Sequence, residues 1–257
     1  MKKIGMGMGM ILLSVVFSGC DVLTQVASSV GTAIQTSGTT PTAYTNAAGL
    51  KEALQVGLTN SVRTLNQTDA FLANAAMKIL LPEDAQVIVE HIQMIPGGNQ
   101  LVSDVVLRLN RAAEDAVVEA KPIFASAIRN MSFSDATSIL FGGEQAATNY
   151  FKQATYNQLY DAFLPKMQSS LSKDLIGGVS TQESWSALTV AYNNVAKSTL
   201  GQVAGLKPVS TDLSAYATRR TLDGLFLQVA EEENKIRQDP KARVTNLLQQ
   251  VFGQLDQ

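Results

Sequence analysis

From Gly49 onward, apolar residues return every three or four positions almost without interruption, and that spacing commits the chain to helices packed on helices. Leu50, Leu54, Leu58, Val62 and Leu65 line one face of a first helix, and Val87, Ile88, Ile92 and Ile95 mark a second between Pro82 and the stop at Pro96-Gly97-Gly98. A long third segment carries Val105, Leu109, Ala112, Ala113, Ala116 and Ala120 toward Phe124 and Ile128, and Pro122 should kink or split it. Ser134 to Leu140 reads as a short helix ended by Gly142-Gly143. The next helix carries Tyr156, Leu159, Phe163, Met167 and Leu171, with a bend expected at Pro165. Ser180-Thr181-Gln182-Glu183 has the form of a capping box, followed by Trp185, Leu188, Tyr192 and Val195 as a buried face. Leu222, Leu225, Phe226, Val229 and Ile236 mark the penultimate helix. Asp239-Pro240 should cap the last one, whose buried face is Val244, Leu247, Leu248, Val251, Phe252 and Leu255.

Only Met77 to Leu81 reads as a strand, and one strand has no partner. The expected fold is therefore all-α: a single compact domain of about eight helices, kinked at prolines and occupying residues 49–257.

The segment before it carries a different message. Lys2 and Lys3 provide a positive start, Ile11 to Phe17 an apolar stretch, and Ser18-Gly19 small residues directly before Cys20, the only cysteine. A spanning helix needs about 20 apolar residues, more than this glycine-interrupted run provides, so cleavage is expected. The ending resembles the lipobox of bacterial lipoproteins, although Phe17 stands where an aliphatic residue is usual. That resemblance implies a signal peptide over residues 1–19 and acylation, palmitate included, at Cys20. Residues 20–48 then form a tether, in which Ala27 to Ala48, rich in Ser, Thr, Gly and Ala, has a coil span of about 25 Å. A two- or three-chain anchor holds a protein on a membrane durably. The expected location is thus a bacterial envelope membrane, facing the periplasm. Asp21 resembles an inner-membrane retention signal of enteric bacteria, a rule too narrow to decide between inner and outer membrane.

Charge and residue supply exclude several kinds of chemistry. The formal charge of −2 becomes −4 once Lys2 and Lys3 leave, and the remaining cations are scattered, so no nucleic acid is expected as partner. His91 is the single histidine and falls on the apolar side of its helix, where a tucked structural imidazole is expected. One histidine and an acylated cysteine cannot assemble a zinc site, and no phosphate loop or nucleophile elbow occurs, so no cofactor, metal or catalytic residue is assigned.

Two polar clusters interrupt the apolar pattern. Arg111 can reach Glu114 and Asp115, beside Asn110; Glu231 can reach Lys235, and Glu233 can reach Arg237. They read either as solvated faces laced with ion pairs or as an internal network lining a pocket, toward which Asp223-Gly224 also points. Tyr150, Phe151, Tyr156, Tyr160 and Phe163 crowd one segment, as core or as the lining of an apolar pocket formed around Tyr150, Tyr156 and Tyr160.

Several stretches taken together resemble a known family. These are Leu109-Asn110-Arg111-Ala112-Ala113-Glu114, Ile123-Phe124 with Met131, Asp135-Ala136, Ile139-Leu140 and Ala146 to Phe151. Leu222 to Phe226, Glu233 with Ile236-Arg237, Asp239-Pro240, Leu247-Leu248 and Val251-Phe252 continue the series. The pattern, over about residues 49 to 253, resembles the bacterial family catalogued as domain of unknown function 4197, whose members are typically exported and often lipoproteins. The resemblance implies one domain and an envelope location, and carries no catalytic residues. It makes Asn110, Arg111, Glu114, Asp223, Glu233 and Arg237 the candidate binding network. The expected function is a non-enzymatic, lipid-anchored interaction or scaffold domain with a protein partner in the envelope. The alternatives are a carrier of a lipid or apolar small molecule between helices, and a carboxylate-based hydrolase.

Overall fold

Nine α-helices are found among the described residues of the computed structural model, which are 43–86, 89, 98–173, 178–210 and 212–256. They are α1 (Ala43–Leu65), α2 (Gly98–Ala116), α3 (Ala120–Asn130), α4 (Phe133–Leu140), α5 (Ala146–Leu171), α6 (Thr181–Ala196), α7 (Thr199–Val203), α8 (Leu213–Gln238) and α9 (Asn246–Phe252). The α7 helix is a single turn following α6, and no strand occurs among the described residues. Cys20, the signal segment, most of the tether, His91 and the residues Val87, Ile88, Ile92 and Ile95 lie outside the described residues.

The α1 helix sits at the centre, against α8, α4, α9 and α3. Two adjacent rows on its surface explain how it can be covered on several sides. Leu50, Leu54, Leu58, Val62 and Leu65 are all buried, as the apolar spacing predicts. Beside them Gly49, Ala53, Gly57 and Ser61 recur at four-residue intervals and let neighbouring helices approach. A methyl group on Gly49 would lie 2.4 Å from Val251 Cγ2, and one on Gly57 would lie 3.4 Å from Ile236 Cδ1. Ser61 is fully buried and returns its hydroxyl to the Gly57 carbonyl at 2.8 Å. The α1 helix begins at Ala43, ahead of the Gly49 at which the apolar spacing starts.

The other elements follow from local signals, with adjustments. A tight helical turn, Val117–Glu119, divides α2 from α3 just before Pro122, while α5 continues through Pro165. Ser132–Asp135 and Ser180–Glu183 form reciprocal capping boxes at the starts of α4 and α6. Asp239 caps only the short turn Pro240–Ala242; the last helix starts later, with the Thr245 hydroxyl as its cap. Val244 consequently precedes that helix and is 68% exposed, whereas Leu248, Val251 and Phe252 are buried. Val195, expected on the buried face of α6, is 57% exposed because the end of α6 extends beyond the core. Phe124 joins the helical layers, edge-on to Phe151 at 5.6 Å and to Phe226 at 6.3 Å.

The two α1 glycines give a controlled test of this packing. Both Gly→Ala changes gain helix propensity, about 1 kcal/mol each. Gly49→Ala also drives its methyl into Val251, and is expected to melt below wild type by the equivalent of about 1–2 kcal/mol. Gly57→Ala, in ordinary contact distance of Ile236, is expected to match or exceed wild-type stability in urea titrations.

Candidate functional site

The sequence offers two polar clusters, and the structure divides each of them: Asp115, Glu231 and Lys235 are exposed and Arg111 partly so, while the remaining members lie inside. Asn110 is fully enclosed, Glu114 and Glu233 nearly so, and the Arg237 side chain is 10% exposed. The reading of solvated ion-paired faces holds for the Lys235–Glu232 and Arg111–Asp69 pairs, and not for Asn110, Glu114, Glu233 and Arg237. Unpaired charges at such depth would be prohibitively costly, so the decisive question is what satisfies them.

Glu233, on α8, is satisfied by the start of another helix. The α5 helix has no local side-chain cap: its leading residue Gln145 is left-handed, with φ 63°, and makes no capping bond. Glu233 supplies the missing acceptors. Its Oε1 accepts from the Ala147 N–H at 3.0 Å and Arg237 Nε at 2.9 Å; its Oε2 accepts from the Thr148 N–H at 2.9 Å and the Thr148 hydroxyl at 2.8 Å. One helical turn further along α8, Arg237 does the converse for α4. Its Nη2 donates to the Ile139 carbonyl at 2.7 Å and its Nη1 to the Leu140 and Gly142 carbonyls at 3.2 and 3.4 Å. An anion thus meets a helix N-terminus and a cation a helix C-terminus, as the helix dipoles favour.

The α2 cluster holds the irregular segment between α1 and α2. Asn110 accepts from the Ile79 N–H at 2.9 Å and donates to the Ile79 carbonyl at 2.8 Å. Its side chain thereby pairs with both backbone groups of Ile79, as a ladder neighbour would, in the non-helical stretch that reads as a lone strand. Arg111 pairs with Glu114 at 2.8 Å and with Asp69 at 2.7 Å, while Asp115 is not its partner. Those bonds, Glu114 first, hold the guanidinium above its ordinary pKa. Glu114 also accepts from the Phe71 N–H at 3.4 Å. The Phe71 ring rests on Gly224 of α8, where a methyl group would fall 2.6 Å from Cε1. Gly224 is therefore a close-packing site.

Asp223 does not join either cluster; it is 51% exposed and paired with Arg220 on its own helix. Lys235 pairs with Glu232 instead of Glu231. Glu114, Asp223 and Glu233 serve three separate sets of partners. The tyrosines line the outer side of the core: Tyr150 is edge-on to Phe151 at 5.5 Å and Tyr156 stacks on Phe226 at 6.5 Å. Burial first, then the nearby Asp135 and Asp223 respectively, raises the pKa of these two phenols. Tyr160 is half-buried beside them. A cavity of about 30 Å³ is lined by Phe151, Gly57, Phe252, Ile236, Glu233 and Arg237, among others, and by none of the three tyrosines. It has room for about one water. No group of three His, Cys, Asp or Glu side chains able to hold a metal occurs among the described residues, and none of their helices is long and apolar enough to cross a membrane.

A further buried charge is hidden in the sequence. Arg243 donates to the Ile236 and Arg237 carbonyls, at 3.1 and 2.9 Å, and so closes the end of α8. It also forks onto Asp256, with Nη2 at 2.7 Å from Oδ1 and Nη1 on Oδ2. These bonds hold the Asp256 carboxyl below the ordinary aspartate value of 3.8. Neither this pair nor the Asp69–Arg111 pair has helical spacing to announce it. Only the turn-forming run Asn66 to Asp69, ending in a left-handed Asp69, hints at either.

Residues 40–253 match the profile of a family described as "Protein of unknown function (DUF4197)". No curated protein and no solved structure matches the chain.

Removing one partner of the α8 pair should be severe. Glu233→Ala leaves the α5 N–H groups and the Arg237 Nε–H without an acceptor and the guanidinium without its counter-ion, and a loss of about 3–5 kcal/mol is expected in urea unfolding. Asp256 sets a pH signature. Because its folded pKa is depressed, the stability it adds is present above the ordinary value of 3.8 and disappears as pH falls through the lower folded value. Wild type should therefore exceed Asp256→Asn in stability at neutral pH, and the two denaturation midpoints should converge in acid.

Proposed function

The chain belongs to this family of unknown function, and on that premise we propose that it is a lipid-anchored bacterial envelope protein whose folded domain is an interaction or scaffold module. The anchor is Cys20, on the lipobox-like ending Ser18-Gly19-Cys20, and the domain faces the periplasm. A tether and an anchor confine a domain near a surface and raise its effective concentration for neighbours there, without adding chemistry.

The observation that carries this reading is the saturation of Glu233. All of its acceptor directions are spent on two backbone N–H groups, a hydroxyl and a guanidinium, so it offers no lone pair to a substrate while the fold is intact. The adjoining cavity of about 30 Å³ is too small for a lipid or metabolite. By contrast, large apolar side chains stand exposed on the outside, among them Leu200, Val203 and Phe141.

One feature favours the carrier alternative: an open cleft of about 300 Å³ between α1 and α3, with Leu58, Phe124 and Pro122 in its wall and Gln55, Thr59 and Lys121 around it. Native mass spectrometry of the full chain, released gently from its host's envelope and compared before and after denaturation, separates the readings. The module reading expects the polypeptide with acyl groups on Cys20 and no further mass lost on denaturation. An apolar compound released on denaturation supports the carrier, a released metal supports a catalyst, and a free Cys20 thiol refutes the anchor.

A further inference from the structure

The α6–α7 arm ends in a surface that the rest of the domain does not explain. Its base belongs to the core: Trp185 and Val209 are buried, the Trp185 indole N–H donates to the Ser210 carbonyl at 3.3 Å, and Asn193 brackets Val209 with bonds of 2.8 and 2.7 Å. Its tip is held as firmly. The Ser198 hydroxyl accepts from the Gly201 N–H at 3.1 Å, and a methyl group on Gly201 would fall 2.1 Å from the Val195 carbonyl, so α7 presses directly on the end of α6. The chain leaves α7 through Gly205, at φ 74°, with the Leu206 N–H returned to the Gly201 carbonyl at 2.9 Å.

This fixed tip nevertheless presents Leu200 at 83% exposure and Val203 at 84%, with Val195 beside the junction. Two apolar side chains at nearly full exposure on a pinned turn cannot tuck themselves away by local movement. The charge pattern around them is one-sided. Between Glu183 and Asp212 the sequence contains no acidic residue, and its only charges are Lys197 and Lys207, both exposed, in a chain whose formal charge is −2.

From these observations we propose that the α6–α7 tip is a membrane-contact site that docks on an anionic lipid surface. Leu200 and Val203 enter the boundary between headgroups and acyl chains, and Lys197 and Lys207 lie among lipid phosphates. An apolar wedge flanked by cations and free of carboxylates complements such a surface, whereas a zwitterionic one offers the lysines no net attraction. The contact is weak alone. It rests on the proposed Cys20 anchor, which keeps the tip within reach of the bilayer, and it makes the anchored domain lie in one orientation.

The test uses the full chain in vesicles, with Leu200→Cys labelled by an environment-sensitive apolar fluorophore. Wild type is labelled in parallel: it takes no fluorophore if Cys20 is acylated, and a labelled wild type refutes the anchor alone, leaving the tip to be read by subtraction. The expected result is a blue-shifted, stronger emission in vesicles of phosphatidylcholine mixed equally with phosphatidylglycerol, absent in phosphatidylcholine vesicles and suppressed by high salt. Substituting Lys197→Gln and Lys207→Gln should lower the bound signal, by about fivefold for each lysine. Emission that is the same on anionic and neutral vesicles overturns the proposal. So does a shift seen only with native envelope fragments and never with pure lipid, which assigns the tip to a protein partner.

Discussion

The Glu233–Arg237 pair closes the corner between α4 and α5 from a third helix, and the placement of all three helices depends on it. Bringing two charges out of water costs several kcal/mol each, and their mutual attraction alone often fails to recover that. The difference here lies in the surroundings. The carboxylate faces N–H groups that α5 cannot satisfy itself, and the guanidinium faces carbonyls that α4 leaves open, so desolvated charges and desolvated helix ends are matched in one step. Arg243 repeats the device at the end of α8 with Asp256 as counter-ion. Side chains that resemble an active site in composition are thus engaged in joining helices.

A related economy governs the segments between helices. An all-helical domain has no sheet in which to place a buried non-helical residue, yet Ile79 and Val209 are both buried and outside any helix and each needs a donor and an acceptor. In both cases a single asparagine on a neighbouring helix supplies them, Asn110 for Ile79 and Asn193 for Val209. The carboxamide is the one neutral side-chain group that presents donor and acceptor side by side with the spacing of a peptide unit. This explains why Asn110 stands in the middle of an otherwise apolar helix face.

The helices were legible because burial repeats along a helix with the period of its turns: Leu50 through Leu65 and Leu222 through Ile236 are enclosed as their spacing implies. The capping box at Ser180 was legible because donor and acceptor lie within four residues. The clusters were visible as residues but not in their roles. Spacing within α8 shows that Glu233 can reach Arg237, yet cannot show that the start of α5 arrives between them, some 85 residues away in the chain. The small row Gly49, Ala53, Gly57 and Ser61 is not legible for a related reason: small residues signal close approach only once the approaching helix is known. Val195 departs from its expected place for another reason, since helical spacing continues along α6 after the core has ended.

The contact of Gly49 with Val251 has a consequence for the order of events in a growing chain. Among the described helices the first has its tightest small-residue contact on the last, about 200 residues later, so α1 cannot complete its packing while the remainder is still being made. Until then α1 exposes a row of leucines with no native partner on that side, a state open to chaperones and translocation machinery and poorly suited to premature closure. The topology therefore delays commitment to the native state until nearly the whole domain is available, which is compatible with passage through a pore as an unfolded thread.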